Sequence, residues 1–390
     1  MKNLDKSKVI MQIIPSMQSG GVERGVVDIA KELQKQGFKA IVLSNGGIMV
    51  YQLEEAKIKH ITLDVKTKNP LKLFCNIKKI VKIIKENEVD VVHVRSRAPM
   101  ISAYYACKKT KTKILSTIHG PYSLKFLKWQ NFMPKRFYNA MMLKGDYVIA
   151  VSAFIKDYII TNYQPFFKEN LQDKIKIIAR GVDLKYFDDD KISISRKITL
   201  SKKWGLPEEK KIILFPARIT SCKGHEFLFE ALKLVKNDVI CVCVGSDHGH
   251  KKLREKLEKK VLDENLVGKI KFVGICKEMP LAYALSNLVI SASTKPEAFG
   301  RVTIEAQAMK KIVIATNIGG SLETIIDKKT GFLCENKNIE MLAKLIDQAL
   351  MMEKEKSDEI CANARKHVEE NFSNQKMCDE TIVVYRKLIN

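Results

Sequence analysis

The chain has 390 residues, 46% of them hydrophobic, which is more than one ordinary core holds and comfortable for two domains. No segment reaches the roughly 18 consecutive apolar residues of a membrane span, and the short apolar stretch in "MKNLDKSKVIMQIIPSMQSGG" reads as a first strand rather than a signal peptide. The formal charge of +24 is strongly basic, and nine scattered cysteines without a CxxC pair suit buried reduced thiols in a cytoplasmic protein.

In chain order, "VIMQIIPS", "KAIVLSN", "VDVVHVRS", "KILSTIHG" and "YVIAVS" are predicted strands. "GVERGVVDIAKELQKQG", "PLKLFCNIKKIVKIIKENE" and "MISAYYACKKTK" are predicted helices between them. Near-continuous Val/Ile runs alternating with helices imply a parallel sheet covered on both faces. In the loop after the first strand, Gly20 and Gly21 precede a helix, where the backbone can approach a phosphate closely. The spacing is not GxGxxG, which counts against a nicotinamide-binding domain. His119 ends the strand in "STIHGPY"; a lone histidine is commonly structural, but at a strand's carboxyl end before Gly-Pro it is a candidate for contact with a reacting ligand.

Between Asp90 and Asp146 no acidic residue occurs, while Arg95, Arg97, Lys108, Lys109, Lys111, Lys113, Lys125, Lys128, Lys135, Arg136 and Lys144 do. Such a field attracts phosphates of nucleic acid, anionic lipid or a nucleotide-bearing substrate. Residues 121–145 interleave Tyr122, Phe126, Trp129, Phe132, Phe137 and Tyr138 with cations, a pattern of a membrane interface or of a helix whose aromatics pack into the core.

The polar stretch "FDDDKISISRKITLSKKWGLPEE" reads as a connector, with Asp188, Asp189 and Asp190 solvated rather than metal-binding, and divides the chain into 1–190 and 191–373. The pattern then restarts with strands "KKIILFPAR", "VICVCVGS", "KIKFVGI", "LVISAS", "KIVIATN" and "GFLC", and helices that include "GHEFLFEALKLVK", "KKLREKLEKKVLDE" and "VTIEAQAMK". Residues 374–390 form a last helix, expected to cross back onto the first domain. Cys241 and Cys243 merely share a strand face, and His248 and His250 face solvent.

The residues of interest fall at strand carboxyl ends, where doubly wound sheets take their ligands. In "PARITSCKGHEF", Arg218 and Lys223 precede a glycine-opened helix and could grip a diphosphate, or be ordinary surface charge. In "STKPEAFGRVTIEAQAM", Glu297 lies in a loop and Glu305 on the following helix. Each carboxylate can accept from a pair of vicinal hydroxyls, and the amides of Phe299, Gly300 and Arg301 can donate to the same ligand. Gly319 and Gly320 occupy the next strand-to-helix loop.

The order and spacing of "GGVER", "IHG", "VSAFI", "IARGVDLKYF", "PARITSCKG", "PEAFGRVTIEAQAM", "VIATNIGG" and "TGFLC" resemble glycosyltransferase family 4 nearly end to end. The resemblance implies the GT-B architecture: an α/β fold of two Rossmann-like, doubly wound parallel-sheet domains facing each other across a cleft. It implies sugar transfer from a nucleotide-diphosphate donor, of UDP or GDP type, with retention of configuration and without a metal or other cofactor. Arg218 and Lys223 would then hold the diphosphate, Glu297 with the amides around Phe299, Gly300 and Arg301 the donor sugar, and Glu305 the ribose. Gly21, beside Gly20, would approach the phosphates from the other domain, with His119 facing the donor sugar. Arg301 departs from the small or apolar residue many members carry, and either alters sugar preference or points to solvent. Because the basic, aromatic segment 121–145 lies in the half that receives the acceptor in this architecture, a lipopolysaccharide core or lipid-linked glycan acceptor and peripheral association at an anionic membrane surface are expected. The competing readings are a nucleotide-sugar epimerase or hydrolase of the same fold, which lacks an obvious acid/base set, and a nucleic-acid-binding protein. Nucleic acid is not an expected partner, since no zinc knuckle, RRM or helix-turn-helix signature occurs.

Overall fold

The structure, a computed structural model, describes residues 8–18, 20–67, 69–122, 135–247 and 249–390. By contact the chain falls into two compact units, Met1–Gly181 together with Asn374–Asn390, and Val182–Ser373. The first contains β1 (Val9–Ile13), β2 (Lys39–Ser44), β3 (Lys59–Thr62), β4 (Val91–Val94), β5 (Lys113–Ile118), β6 (Tyr147–Ala150) and β7 (Ile175–Ile177). They form one parallel sheet in the order β3-β2-β1-β4-β5-β6-β7. The second contains β8 (Lys211–Pro216), β9 (Val239–Val244), β10 (Ile270–Gly274), β11 (Leu288–Ser291), β12 (Val313–Thr316) and β13 (Phe332–Cys334). Their parallel order is β10-β9-β8-β11-β12-β13.

Central strands are apolar because helices cover both faces: every residue of β1 and of β9 is buried. The helix Gly21–Lys35 turns Val26, Val27, Ile29, Ala30 and Leu33 into the first core. The helix Asn374–Ile389 adds Met377, Cys378, Ile382, Val384, Tyr385 and Leu388 to that same core. Cys241 and Cys243 are free and buried in β9. Among the described residues no group of His, Cys, Asp and Glu is arranged to hold a metal.

Three features differ from expectation. The edge strands β3 and β7 were not predicted; "KHIT" and "IKI" are short and half polar, as strands at a sheet edge tend to be. The polar stretch read as a connector contains a helix, Ile194–Trp204, anchored by Leu200 and Trp204 one turn apart, while Ile194 and Ile198 stay exposed. The aspartates ahead of it are ion-paired rather than simply solvated. Asp188 meets Lys191 at 3.0 Å, Asp189 meets Lys197 at 3.6 Å and Lys311 at 3.7 Å, and Asp190 meets Lys310 at 2.8 Å. Together with Phe187, whose carbonyl accepts from Arg365, they fasten this segment to the second unit, so the contact boundary falls at Gly181/Val182 rather than 190/191.

Candidate active site

In the second sheet β8 connects to β9 on one side and has β11 on the other, so the strand order reverses between β8 and β11. A crevice outside the carboxyl ends of such a pair is the ligand position of doubly wound folds. The loop after β8 passes so close to the end of β11 that a Cβ on Gly224 would stand 1.8 Å from the Ala292 carbonyl oxygen. Gly224 also has φ +76°, a left-handed conformation that glycine tolerates without cost. This approach delivers Lys223: its Nζ lies 2.7 Å from Oε1 of Glu297 in the loop after β11, with both side chains about one-fifth exposed. The buried hydroxyl of Ser293 donates to the same oxygen.

Glu297 is held from behind as well. Its carbonyl accepts from the Gly320 amide at 2.9 Å, and Gly319, at φ +60°, has no room for a Cβ, which would stand 2.4 Å from that carbonyl oxygen. Gly300 caps the helix Arg301–Ala308. The buried Thr303 hydroxyl donates to the Gly300 carbonyl and contacts Thr324, and buried Gln307 donates to the carbonyls of Thr324 and Thr330. The amides of Phe299, Gly300 and Arg301 have no acceptor among the described residues and stand at the positive end of the helix dipole. The Phe299 ring is turned into the core, edge-on to Phe372 at 5.5 Å, so this residue can offer a ligand its backbone rather than its ring.

Glu305 has both oxygens engaged: Tyr283 donates its hydroxyl at 3.0 Å and Arg301 pairs at 2.7 Å. Arg301 is therefore neither directed to empty solvent nor idle. Burial, reinforced by the Glu305 charge, pushes the Tyr283 hydroxyl well above its ordinary range, so it stays a donor. Arg218 is exposed, with no ion pair among the described residues. The structure thus joins Lys223 to Glu297 directly, and Arg301 to Glu305, and leaves Arg218 apart from both pairs. His250 is exposed, and His248 lies outside the described residues.

In the first sheet the order reverses between β1 and β4. Gly20 and Gly21 lead from β1 into the helix Gly21–Lys35, and Arg180 donates to the Gly21 carbonyl. His119, just past β5, has Nδ1 3.5 Å from Arg180 Nη1, while its buried Nε2 has no partner. Burial, then the charges of Arg180 and Arg95, hold its imidazole far below the ordinary range and hence neutral.

Sequence reasoning did not single out Ser293, Tyr283, His225 or Arg180. Ser293 sits at a strand end, a signal that could have been used; Tyr283 comes from a helix with no motif of its own. His225, the first residue of the helix His225–Leu234, is buried between Phe215 and Phe229 with both ring nitrogens unpartnered. Burial and then Lys223 lower its pKa to about 4.

Of the segment 121–145, residues 123–134, which include Phe126, Trp129 and Phe132, lie outside the described residues. Tyr122 is stacked by Arg97 at 4.3 Å, and Phe137 is exposed beside Phe166. Met141, Met142 and Leu143 are core. Among the described residues no helix is long and apolar enough to cross a membrane.

Two tandem parallel-sheet α/β units with polar groups gathered at their strand-order reversals define a ligand-binding protein of the GT-B class. The family described as "Glycosyltransferase Family 4" matches residues 19–186 and that described as "Glycosyl transferases group 1" matches residues 196–367. The crystal structure of a glycosyltransferase from Rickettsia africae ESF-5 is 40% identical, covers 98% of this chain and 99% of that one, and superposes with a TM-score of 0.89. The capsular polysaccharide biosynthesis glycosyltransferase CapM of Staphylococcus aureus is 24% identical over 98% of each chain. Anabaena HepE, solved in complex with UDP, shares the fold at 22% identity and TM-score 0.82, covering 97% of this chain and 100% of that one. The chain belongs to the family 4 glycosyltransferases.

Proposed function

We propose that this glycosyltransferase moves a sugar from a nucleotide-diphosphate donor of UDP or GDP type, with retention of configuration and without a metal, to a cell-envelope glycan. The observation that carries the reading is the 2.7 Å contact of Lys223 with Glu297 beside the open amides of the helix Arg301–Ala308. When the bond from the anomeric carbon to the diphosphate breaks, the leaving group gains negative charge; Lys223 and the helix amides are preorganised cationic and dipolar partners for it, and the exposed Arg218 adds a further cation. Glu297, released from Lys223 by the diphosphate, accepts from donor-sugar hydroxyls, and Glu305 from the ribose. Gly20 and Gly21 offer backbone to the phosphates, and the neutral His119 hydrogen-bonds the donor sugar. HepE is named as a UDP complex, which supports a UDP donor here, and CapM as a capsular polysaccharide enzyme, which supports an envelope acceptor.

A lipopolysaccharide core or lipid-linked glycan is the proposed acceptor, reached from the cytoplasmic face of the membrane, with the basic, aromatic segment 121–145 as the peripheral contact. Co-migration with anionic vesicles at low salt tests that contact. The donor is tested by thermal shift with UDP- and GDP-sugars, since a ligand at about 100 times its Kd stabilises by about 2.7 kcal/mol. Transfer is tested by NMR of the product anomer. No response to any nucleotide sugar removes the proposal, an inverted anomer removes retention, and sugar release that ignores acceptor points to hydrolysis instead.

A further inference from the structure

Arg95 follows β4 and is only 3% exposed, yet no carboxylate lies within 4.0 Å of it among the described residues. Its Nε has no acceptor. Its Nη1 reaches only the ring nitrogens of His93, at 3.3 and 3.5 Å. Both of those nitrogens are already engaged, with the Tyr385 hydroxyl at 2.6 Å and with Thr117 at 2.7 Å. Asp28 acts on Arg95 only from a distance. Removing one partner of a buried ion pair costs about 3–5 kcal/mol because a charge is left uncompensated, and Arg95 stands in that condition in the folded chain. An anionic ligand would supply the missing charge.

The surroundings suit a small anion. The Arg95 amide donates to the Ile13 carbonyl at 2.9 Å, which fixes the residue where the strand order reverses between β1 and β4. Arg180, 8% exposed, braces the Gly21 carbonyl nearby, with its Nη1 3.5 Å from Nδ1 of His119. Val94, just before Arg95, pairs with Ser116 of β5, the strand that His119 follows, and Arg180 lies 3.5 Å from His119, so the three groups share one sheet edge.

We propose that Arg95, flanked by Arg180, is the floor of an anion-binding subsite in the first unit, beside His119, that receives a phosphate or carboxylate borne by the acceptor. Assigning the anion to the acceptor rests on the cationic side chains for the donor diphosphate, Lys223 and Arg218, belonging to the second unit, as proposed above; the anion site itself does not depend on it.

The test titrates inorganic phosphate, and acetate in parallel, into the full chain at constant ionic strength, with and without saturating UDP. Melting temperature and the ring signals of 15N-labelled histidines are followed. Phosphate or acetate is expected to raise the melting temperature and shift the His119 signals, and the response persists with UDP bound. Arg95→Met weakens the preferred anion at least about tenfold, with the shift induced by UDP unchanged, on the scale of losing a charge-assisted hydrogen bond. A wild-type chain that answers to neither anion overturns the subsite, and a response abolished by UDP overturns its assignment to the acceptor. Both outcomes are read on the wild-type chain, so they stand even if the Arg95→Met chain fails to fold. Failure of the donor proposal would show separately, as no response to UDP or GDP.

Discussion

The strand order reverses between β1 and β4 in the first unit and between β8 and β11 in the second, and charge is handled differently at the two places. In the second unit two of the three candidate cations have an acidic partner, Lys223 with Glu297 and Arg301 with Glu305, both at 2.7 Å, while Arg218 stays exposed. In the first, Arg95 is buried without a carboxylate in reach, and the histidines around it are neutral. A compensated pair can exchange a protein carboxylate for a ligand phosphate at small net cost, because one anionic partner replaces another. An uncompensated guanidinium instead gains its first counter-charge when the ligand arrives. On the proposed reading, the same fold element would then support two modes of recognition, exchange in one unit and completion in the other.

The sharpest way to break this comparison is to remove the exchanging cation. Lys223→Ala should lower kcat by about 100- to 1000-fold, about 2.7–4 kcal/mol of transition-state stabilisation, as for loss of one preorganised donor. Near-normal turnover would exclude Lys223 from the chemistry and leave the Glu297 contact a structural ion pair. The next effect tests how Lys223 is delivered. Gly224→Ala places a methyl group 1.8 Å from the Ala292 oxygen at φ +76°, and should cost about 2–3 kcal/mol in urea unfolding. An unchanged midpoint would mean the two loops are free to separate.

A third effect is set by pH. His225 has a folded pKa of about 4 against an ordinary 6.5, so between these values the unfolded chain binds the extra proton. Its contribution makes the fold more stable as pH rises through this window and less stable as pH falls through it. From pH 7 to pH 5 the loss from this group is about 2 kcal/mol. His225→Leu, among Phe215 and Phe229, should lose about 2 kcal/mol less than the parent chain over the same interval. Identical pH dependence in the two chains would show that His225 is solvated or partnered in solution.

Much of this was legible in the sequence because parallel strands buried on both faces are continuous apolar runs, as in "VICVCV". Lys223, Glu297 and Glu305 were legible for a related reason: they follow such runs, beside glycines. What could not be read was pairing across separate loops. Lys223 and Glu297 are 74 positions apart, and only the close pass of Gly224 against Ala292 brings them together. Arg95 was visible only as one cation in an acid-free block, since sequence does not say which arginine turns inward. The helix Ile194–Trp204 was missed because its buried face is narrow, two residues one turn apart amid lysines and serines.

The smallest effect concerns Arg301. As the first residue of the helix Arg301–Ala308, its positive charge opposes the helix dipole, and an arginine four positions ahead of a glutamate is the less favourable order for such a pair. Helix stability alone does not favour arginine here, so its worth lies in holding Glu305, whose other oxygen takes the Tyr283 hydroxyl. The pair is partly open to water, and Arg301→Ala should change stability by less than about 1 kcal/mol. If Glu305 accepts from the donor ribose, freeing one oxygen removes an exchange step, and KM for the donor should fall about threefold at unchanged kcat, less than about 1 kcal/mol of binding. A rise in KM would reverse the roles, with Arg301 itself contacting the donor and Glu305 serving to aim it.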